Sequence, residues 1–268
     1  MSRFAGTNAV ITGGADGIGA AYALKLAANG VNVAVLDVLH DKAHATAEAV
    51  AAHGVTSVAI EADVSDRASL AAASDAVTAG LGPVSILIVN AGIGIGGGYI
   101  GASERAVDWL LNVNVVGPIN TVRAFAPAML AHSGPRHVVF TASSACFAQL
   151  DADLAAYGAS KKAMAGLAEG VRAELEPQGI GVTTVYPGLV NTRIWDAARS
   201  RPQRFGGARY QPEEAGAYWR NEGMRADHVA DRAIAAMEDN APHCVVPDTR
   251  TRDNFEQMVA TLRSGFPA

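Results

Sequence analysis

The chain has 268 residues, half of them hydrophobic, a formal net charge of −5 and two cysteines. That length and apolar fraction suit one domain with a substantial core, and the acidic balance leaves no basic footprint for nucleic acid. Cys146 and Cys244 are too few for a disulfide framework or a Cys-x-x-Cys metal site, and no apolar run is long enough to span a bilayer, so the expected setting is a reduced cytoplasm.

From the N-terminus, Ala9 to Ile11 reads as a buried strand and leads into Thr12-Gly13-Gly14-Ala15-Asp16-Gly17-Ile18-Gly19, then a helix over 18–29. A strand, a glycine turn and a helix N-terminus can receive a pyrophosphate on backbone N–H groups. The second strand, 32–36, ends at Asp37. A carboxylate there can accept hydrogen bonds from adenosine ribose hydroxyls and repels a 2′-phosphate, which favours NAD over NADP; otherwise Asp37 merely opens a turn. Val38-Leu39-His40 offers no arginine for a 2′-phosphate. His40 and His44, four apart at the helix over 41–53, have no accompanying ligand set, so a metal-free reaction is expected.

The third strand, 58–60, precedes Asp63-Val64 and a helix over 66–80. The fourth, 86–89, ends in Asn90-Ala91-Gly92, and Gly94-Ile95-Gly96-Gly97-Gly98 adds little side-chain bulk after it. A helix over 103–131 holds Asn114 and, four residues on, Pro118, which has no N–H for the Asn114 carbonyl. That proline either frees the carbonyl for a ligand or simply kinks the helix. The fifth strand, 137–140, runs toward Ser144, and a helix over 154–178 stacks Tyr157 and Lys161 on one face. A neighbouring ammonium, with a bound cationic cofactor, favours the phenolate form of a tyrosine. The sixth strand, 182–185, is followed by Pro187-Gly188-Leu189-Val190-Asn191-Thr192; a helix over 227–239 and a strand over 244–246 complete the pattern. Near-continuous apolar strands alternating with helices predict an α/β, Rossmann-type doubly wound parallel sheet of about seven strands, with helices on both faces and the ligand crevice at the carboxyl ends of the strands.

Thr12-Gly13-x-x-x-Gly17-x-Gly19, Asn90-Ala91-Gly92, Asn114, Ser144 and Tyr157-x-x-x-Lys161 stand in the order and spacing of the short-chain dehydrogenase/reductase family, which the chain resembles from about Phe4 to Pro247. The resemblance implies a catalytic set of Asn114, Ser144, Tyr157 and Lys161. It also implies a dinucleotide held by Gly13, Gly17, Ile18, Gly19, Asp37, Asp63, Val64, Asn90, Ala91, Gly92, Tyr157, Lys161, Pro187, Gly188, Val190 and Thr192. In it Asp63 and Val64 border the adenine, although Asp63 could equally cap a helix; Thr192 orients the nicotinamide carboxamide; and the Asn114 main-chain oxygen holds a water that links Lys161 to solvent. The implied cofactor is NAD, the substrate a secondary alcohol or ketone, and the assembly a homodimer or homotetramer.

The segment 193–226 departs from the βα rhythm. It holds Trp195, Phe205, Tyr210, Tyr218 and Trp219, five of the sixteen aromatics, and seven arginines against four acids. A lid over a bulky, aromatic substrate has this composition, with Trp195 or Trp219 nearest the alcohol; so has a loop packed on a partner subunit. This insertion and the Asp239-Asn240-Ala241-Pro242 run loosely resemble the branch acting on lignin-derived aryl alcohols, the Cα-dehydrogenases. Rival readings are a catalytically silent NAD(H)-binding regulatory protein and an NADP-dependent ketone reductase. An extended-branch epimerase would have a longer substrate domain and a Gly-x-x-Gly-x-x-Gly turn, and the chain has neither.

Overall fold

A computed structural model of the protein describes residues 2–148 and 152–267. The chain runs β1 (Asn8–Thr12), α1 (Gly17–Ala28), β2 (Asn32–Asp37), α2 (His40–Ala51), β3 (Ser57–Glu61), α3 (Arg67–Leu81) and β4 (Ile86–Val89). It continues through α4 (Gly98–Gly101), α5 (Glu104–Leu111), α6 (Gly117–Leu130), β5 (His137–Thr141), α7 (Ala155–Leu175) and β6 (Gly181–Pro187). The short α8 (Ala217–Glu222), then α9 (Ala226–Glu238), β7 (His243–Val246) and α10 (Thr251–Ser264) close it.

All seven strands are parallel in the order β3-β2-β1-β4-β5-β6-β7, with Ile11 beside Val35 on one side and Ile88 on the other. The strand order reverses between β1 and β4, and a crevice opens where the loops leaving these two strands part. Because successive strand side chains point to opposite faces, each strand feeds two cores. Val10, Leu36, Leu87 and Phe140 join Leu70, Trp109, Phe125 and Met164 on one face. Ile11, Val35, Ile88 and Val139 join Tyr22, Leu26, Val50, Val229 and Met237 on the other. Burial on both faces is why the strands read as unbroken apolar runs.

The expected helix over 103–131 divides into α5 and α6 around a π turn, Asn112–Val116, in which the Gly117 N–H donates to the Asn112 carbonyl. Pro118 cannot continue the ordinary ladder, and the wider turn absorbs the break. The C-terminal helix α10, which lacks a strong apolar stripe, had no counterpart in the predicted elements.

Candidate active site

The glycine turn is set by backbone contact. Gly13 has φ +65°, and a Cβ there would lie 2.8 Å from Ala91 Cα; a Cβ on Gly19 would collide with the Gly13 carbonyl. Asn90 Nδ2 donates to the carbonyls of Thr12 and Gly13, each at 3.1 Å, and Thr12 Oγ1 receives the N–H groups of Asn90 and Ala91 at 3.1 and 3.3 Å. Asn90-Ala91 therefore bolts the loop after β4 to the turn after β1. Gly17, at φ +55°, faces Thr192, whose Cγ2 would sit 3.0 Å from an added Cβ. Ile18, half-buried, follows in the first turn of α1. The loop carrying Thr192 is fixed by a residue that sequence reasoning missed: Asp248 Oδ2 accepts the Leu189 N–H at 2.9 Å, and Asp248 fills the space a Gly188 side chain would need. Pro187 ends β6, and Val190 is buried in a parallel bridge with Met224.

The catalytic candidates converge at the carboxyl ends of β4 and β5. Lys161 is buried, its Nζ donating to the Thr141 carbonyl at 3.0 Å, 5.9 Å from the Tyr157 ring centroid and 3.2 Å from where a Gly92 Cβ would stand. Asn114 is fully buried: Oδ1 accepts the Ile93 N–H at 2.9 Å, while Nδ2 donates to the Ile93 carbonyl at 2.9 Å and to Ser160 Oγ at 3.0 Å. Ser160 in turn donates to the Tyr157 carbonyl at 2.6 Å. The Asn114 side chain thus ties the β4 loop to α7 directly beneath Tyr157. It is fully engaged, so a ligand would have to use the Asn114 main chain.

Two serines flank the tyrosine. Ser143, not singled out from the sequence, favours the ionised Tyr157 phenol, and its Oγ accepts the Ala145 N–H at 3.1 Å. Ser144 opens the next short helical turn, half-buried. The doubled Ser-Ser was the available signal. From the protein's own groups, burial pushes the Tyr157 phenol up to about 12, with Ser143 pulling the other way, and burial brings Lys161 down to about 8. The phenolate form expected beside Lys161 belongs to the site with a cationic cofactor bound; in the protein alone burial dominates the phenol.

At the nucleotide end, Asp37 Oδ2 accepts the Ala15 N–H at 3.1 Å and Oδ1 the Leu39 N–H at 3.0 Å. Burial raises its carboxyl, against those bonds and the charge of Arg199. Asp63 Oδ1 accepts from the Ser65 N–H and hydroxyl at 2.9 and 2.6 Å, and Asp66, not Asp63, caps α3. Val64 lies against Gly117, and its carbonyl accepts from Asn120 Nδ2 at 3.0 Å. An open hollow of about 460 Å³ beside this edge is lined by residues including Ser65, Asn112 and Arg204 and contains none of the four catalytic candidates.

The segment 193–226 is an excursion pinched at its base, where Met224 N–H donates to Leu189 and Asn191 N–H to Met224, at 3.0 and 2.9 Å. Its inner side joins the core: Ala197 is buried in the cluster that holds Trp109, and the Arg201 guanidinium lies over the Trp109 ring at 5.8 Å. The buried Asp196 pairs with Arg193 at 2.7 Å and accepts the Gln211 N–H at 3.1 Å. The Trp195 ring lies against Gly216 between the guanidiniums of Arg193 and Arg220, and Ile194 packs over Gly94. Two arginines reach the nucleotide end: Arg199 bonds Asp16 at 3.2 Å, and Arg204 bonds Asp63 at 2.7 Å and Ser65 at 2.8 Å. Among the described residues no helix is long and apolar enough to cross a membrane, and no three His, Cys, Asp or Glu side chains gather as a metal would require. The His40 and His44 rings stand 6.4 Å apart on α2.

Comparison with known proteins identifies the family. The family model described as short chain dehydrogenase matches residues 7–203. C alpha-dehydrogenase of Sphingobium sp. (strain NBRC 103272 / SYK-6) is 34% identical over 266 residues, 96% of this chain and 85% of that protein. Among solved structures, a short chain dehydrogenase/reductase from Burkholderia phymatum in complex with NAD is 31% identical, with a TM-score of 0.85 over 98% of this chain and 94% of that one. A short-chain dehydrogenase from Sphingobium yanoikuyae in complex with NADPH is 26% identical, with a TM-score of 0.75 over 98% and 96%. The chain belongs to the short-chain dehydrogenase family, a family of oxidoreductases that use a nicotinamide cofactor.

Proposed function

Proceeding from that membership, we propose that the protein reversibly oxidises a secondary alcohol, bulky or aromatic, to a ketone with NAD. One observation carries the reading: Tyr157 and the buried Lys161, its Nζ 5.9 Å from the tyrosine ring centroid and beside Gly92 and Asn114, meet next to a glycine turn shaped for close approach of a ligand. The nicotinamide cofactor, when bound, supplies the hydride acceptor and a positive charge. Gly13, Gly17, Ile18 and Gly19 would hold its pyrophosphate, Asp37 its adenosine ribose, Lys161 the nicotinamide ribose and Thr192 the carboxamide.

Tyr157 takes the alcohol proton, or returns it to the forming alkoxide in the reverse direction. A phenol at about 12 is a neutral donor at neutral pH, which suits ketone reduction; added positive charge lowers it toward the base form that oxidation needs. Ser144 donates to the substrate oxygen, leaving Ser143 to hold Tyr157. Asn114 positions α7, and its main-chain oxygen serves the water that relays protons to Lys161.

Asp37 favours NAD over NADP, and the whole chain acts as one domain. The excursion 193–226 closes as a lid over the alcohol, with Trp195 or Trp219 nearest it and Ile194, packed over Gly94, beside its apolar body. Likeness to a C alpha-dehydrogenase supports an aryl alcohol. We further propose a cytoplasmic homodimer or homotetramer. Screening secondary alcohols and ketones, benzylic ones first, by NADH absorbance tests the reading; no turnover across the library, with NADH bound, would leave a nucleotide-binding regulator instead.

A further inference from the structure

Four charges meet at the glycine turn. Asp16 Oδ1 accepts the Gly17 N–H at 2.8 Å, and its Oδ2 takes both Lys42 Nζ and Arg199 Nη2 at 3.2 Å. Asp37 shares the corner, bonded to the Ala15 N–H and within electrostatic reach of both Asp16 and Arg199. The arginine is anchored there: Nη1 donates to the carbonyls of Arg193 and Asp196, and its side chain is 14% exposed, against 45% for Lys42.

This changes the charge seen by an incoming nucleotide. Asp37 would face a 2′-phosphate as a lone carboxylate if only the neighbouring sequence counted. Arg199 and Lys42 bring two cations to the same place, and a guanidinium is the side chain best matched to phosphate oxygens. Left free, those cations would work against Asp37. Both are instead engaged by Asp16.

We propose that Arg199, from the excursion, and Lys42, from α2, form a latent 2′-phosphate site that Asp16 holds closed: by engaging both it denies a 2′-phosphate the cations that would bind it. Discrimination then comes from withholding an attractive partner as well as from the like charge of Asp37. Because Arg199 belongs to the 193–226 excursion, the selection depends on that segment being docked. The inference rests on the proposed function, in which the site binds a nicotinamide dinucleotide.

Calorimetric titration of NADH and NADPH tests it without turnover. Asparagine can still accept the Gly17 N–H, so Asp16→Asn keeps the helix cap, and Asp16→Ser gives a second cap-retaining variant. Both should tighten NADPH binding about tenfold, the effect of freeing two partly exposed pairs, with NADH changed less. The gain should vanish when Arg199→Met and Lys42→Met are added to Asp16→Asn. NADPH affinity unmoved by either Asp16 variant, or a gain that survives loss of both cations, overturns the inference; so does a wild type that prefers NADPH. A wild type that binds neither dinucleotide overturns the cofactor reading itself.

Discussion

The glycine turn and the arginine-rich excursion face the same crevice and are held in opposite ways. In the turn, backbone meets backbone: Gly13 against Ala91, Gly19 against the Gly13 carbonyl, with Asn90 bonded across at 3.1 Å. In the excursion, contact with the nucleotide end is made by the tips of long charged side chains, Arg199 on Asp16 and Arg204 on Asp63. Close backbone packing has one geometry and tolerates almost no added atom. Partly exposed ion pairs contribute little each and can be broken and remade. That contrast is what the proposed roles rest on: a rigid turn for the cofactor, and an excursion whose hold on the nucleotide end can loosen.

The largest expected effect lies on the rigid side, at the chemistry. Tyr157→Phe keeps the ring and its packing but removes the proton-transfer hydroxyl, so turnover should fall by about 10² to 10⁴ while NADH affinity holds. Steady-state kinetics with parallel calorimetry would check it; retention of more than about a tenth of the activity would sink the assignment. Next in size is Gly19→Ala. The new methyl meets a carbonyl that cannot move without displacing Asn90, so thermal or urea unfolding should show a loss of ~2–4 kcal/mol. A near-neutral result would mean that the turn is as pliable as the excursion.

The two serines sharpen the comparison at its centre. Ser144→Ala should cost about 10²-fold in kcat, the typical loss of one donor to developing negative charge, whereas Ser143→Ala should cost less because it only steadies Tyr157. The reverse order would move the substrate contact to Ser143. Lys161 offers a test by pH. Its folded value, about 8, lies below the ordinary lysine value of 10.5, so between these the unfolded chain holds more protons and stability rises with pH. Tyr157, raised to about 12 from 10.0, does the opposite: stability falls between those values as only the unfolded phenol ionises. Wild type minus Lys161→Met should therefore climb from pH 8 to 10.5; a flat difference would show that Lys161 is less buried than its contact with Thr141 implies.

What the sequence made legible follows the same division. All seven strands stand within a residue or two of their predicted places, because each carries enough apolar side chains to bury on both faces. Gly13, Gly17 and Gly19 were readable because a positive φ or a close approach leaves no other choice. Ser143, Asp248, Arg199 and Lys42 were not. Arg199 meets Asp16 across 183 residues, through an excursion with no repeating pattern, and no local spacing encodes that pairing. The π turn was half visible: Pro118 announced a break, yet the donation from Gly117 to Asn112 depends on packing around Asn114.

Arg204→Ala carries the smallest effect on stability and separates the two readings of the excursion most cleanly. Its guanidinium is the far contact of the segment, reaching Asp63 and Ser65 from a side chain about half exposed to solvent. In water such a pair is worth ~0.5–1 kcal/mol, so the melting temperature should barely move. If the segment is a lid balanced between docked and open forms, that small loss falls almost wholly on the docked form and raises the open population several-fold. Hydrogen exchange over 193–223 should then quicken in Arg204→Ala, and in wild type at high salt, while the turn around Gly13 keeps its protection. NADH and a ketone analogue should slow exchange in both proteins. Strong protection that ignores the mutation, the salt and the ligands would identify the segment as a fixed contact with a partner subunit, and the aromatic side chains there would no longer speak for an aromatic substrate.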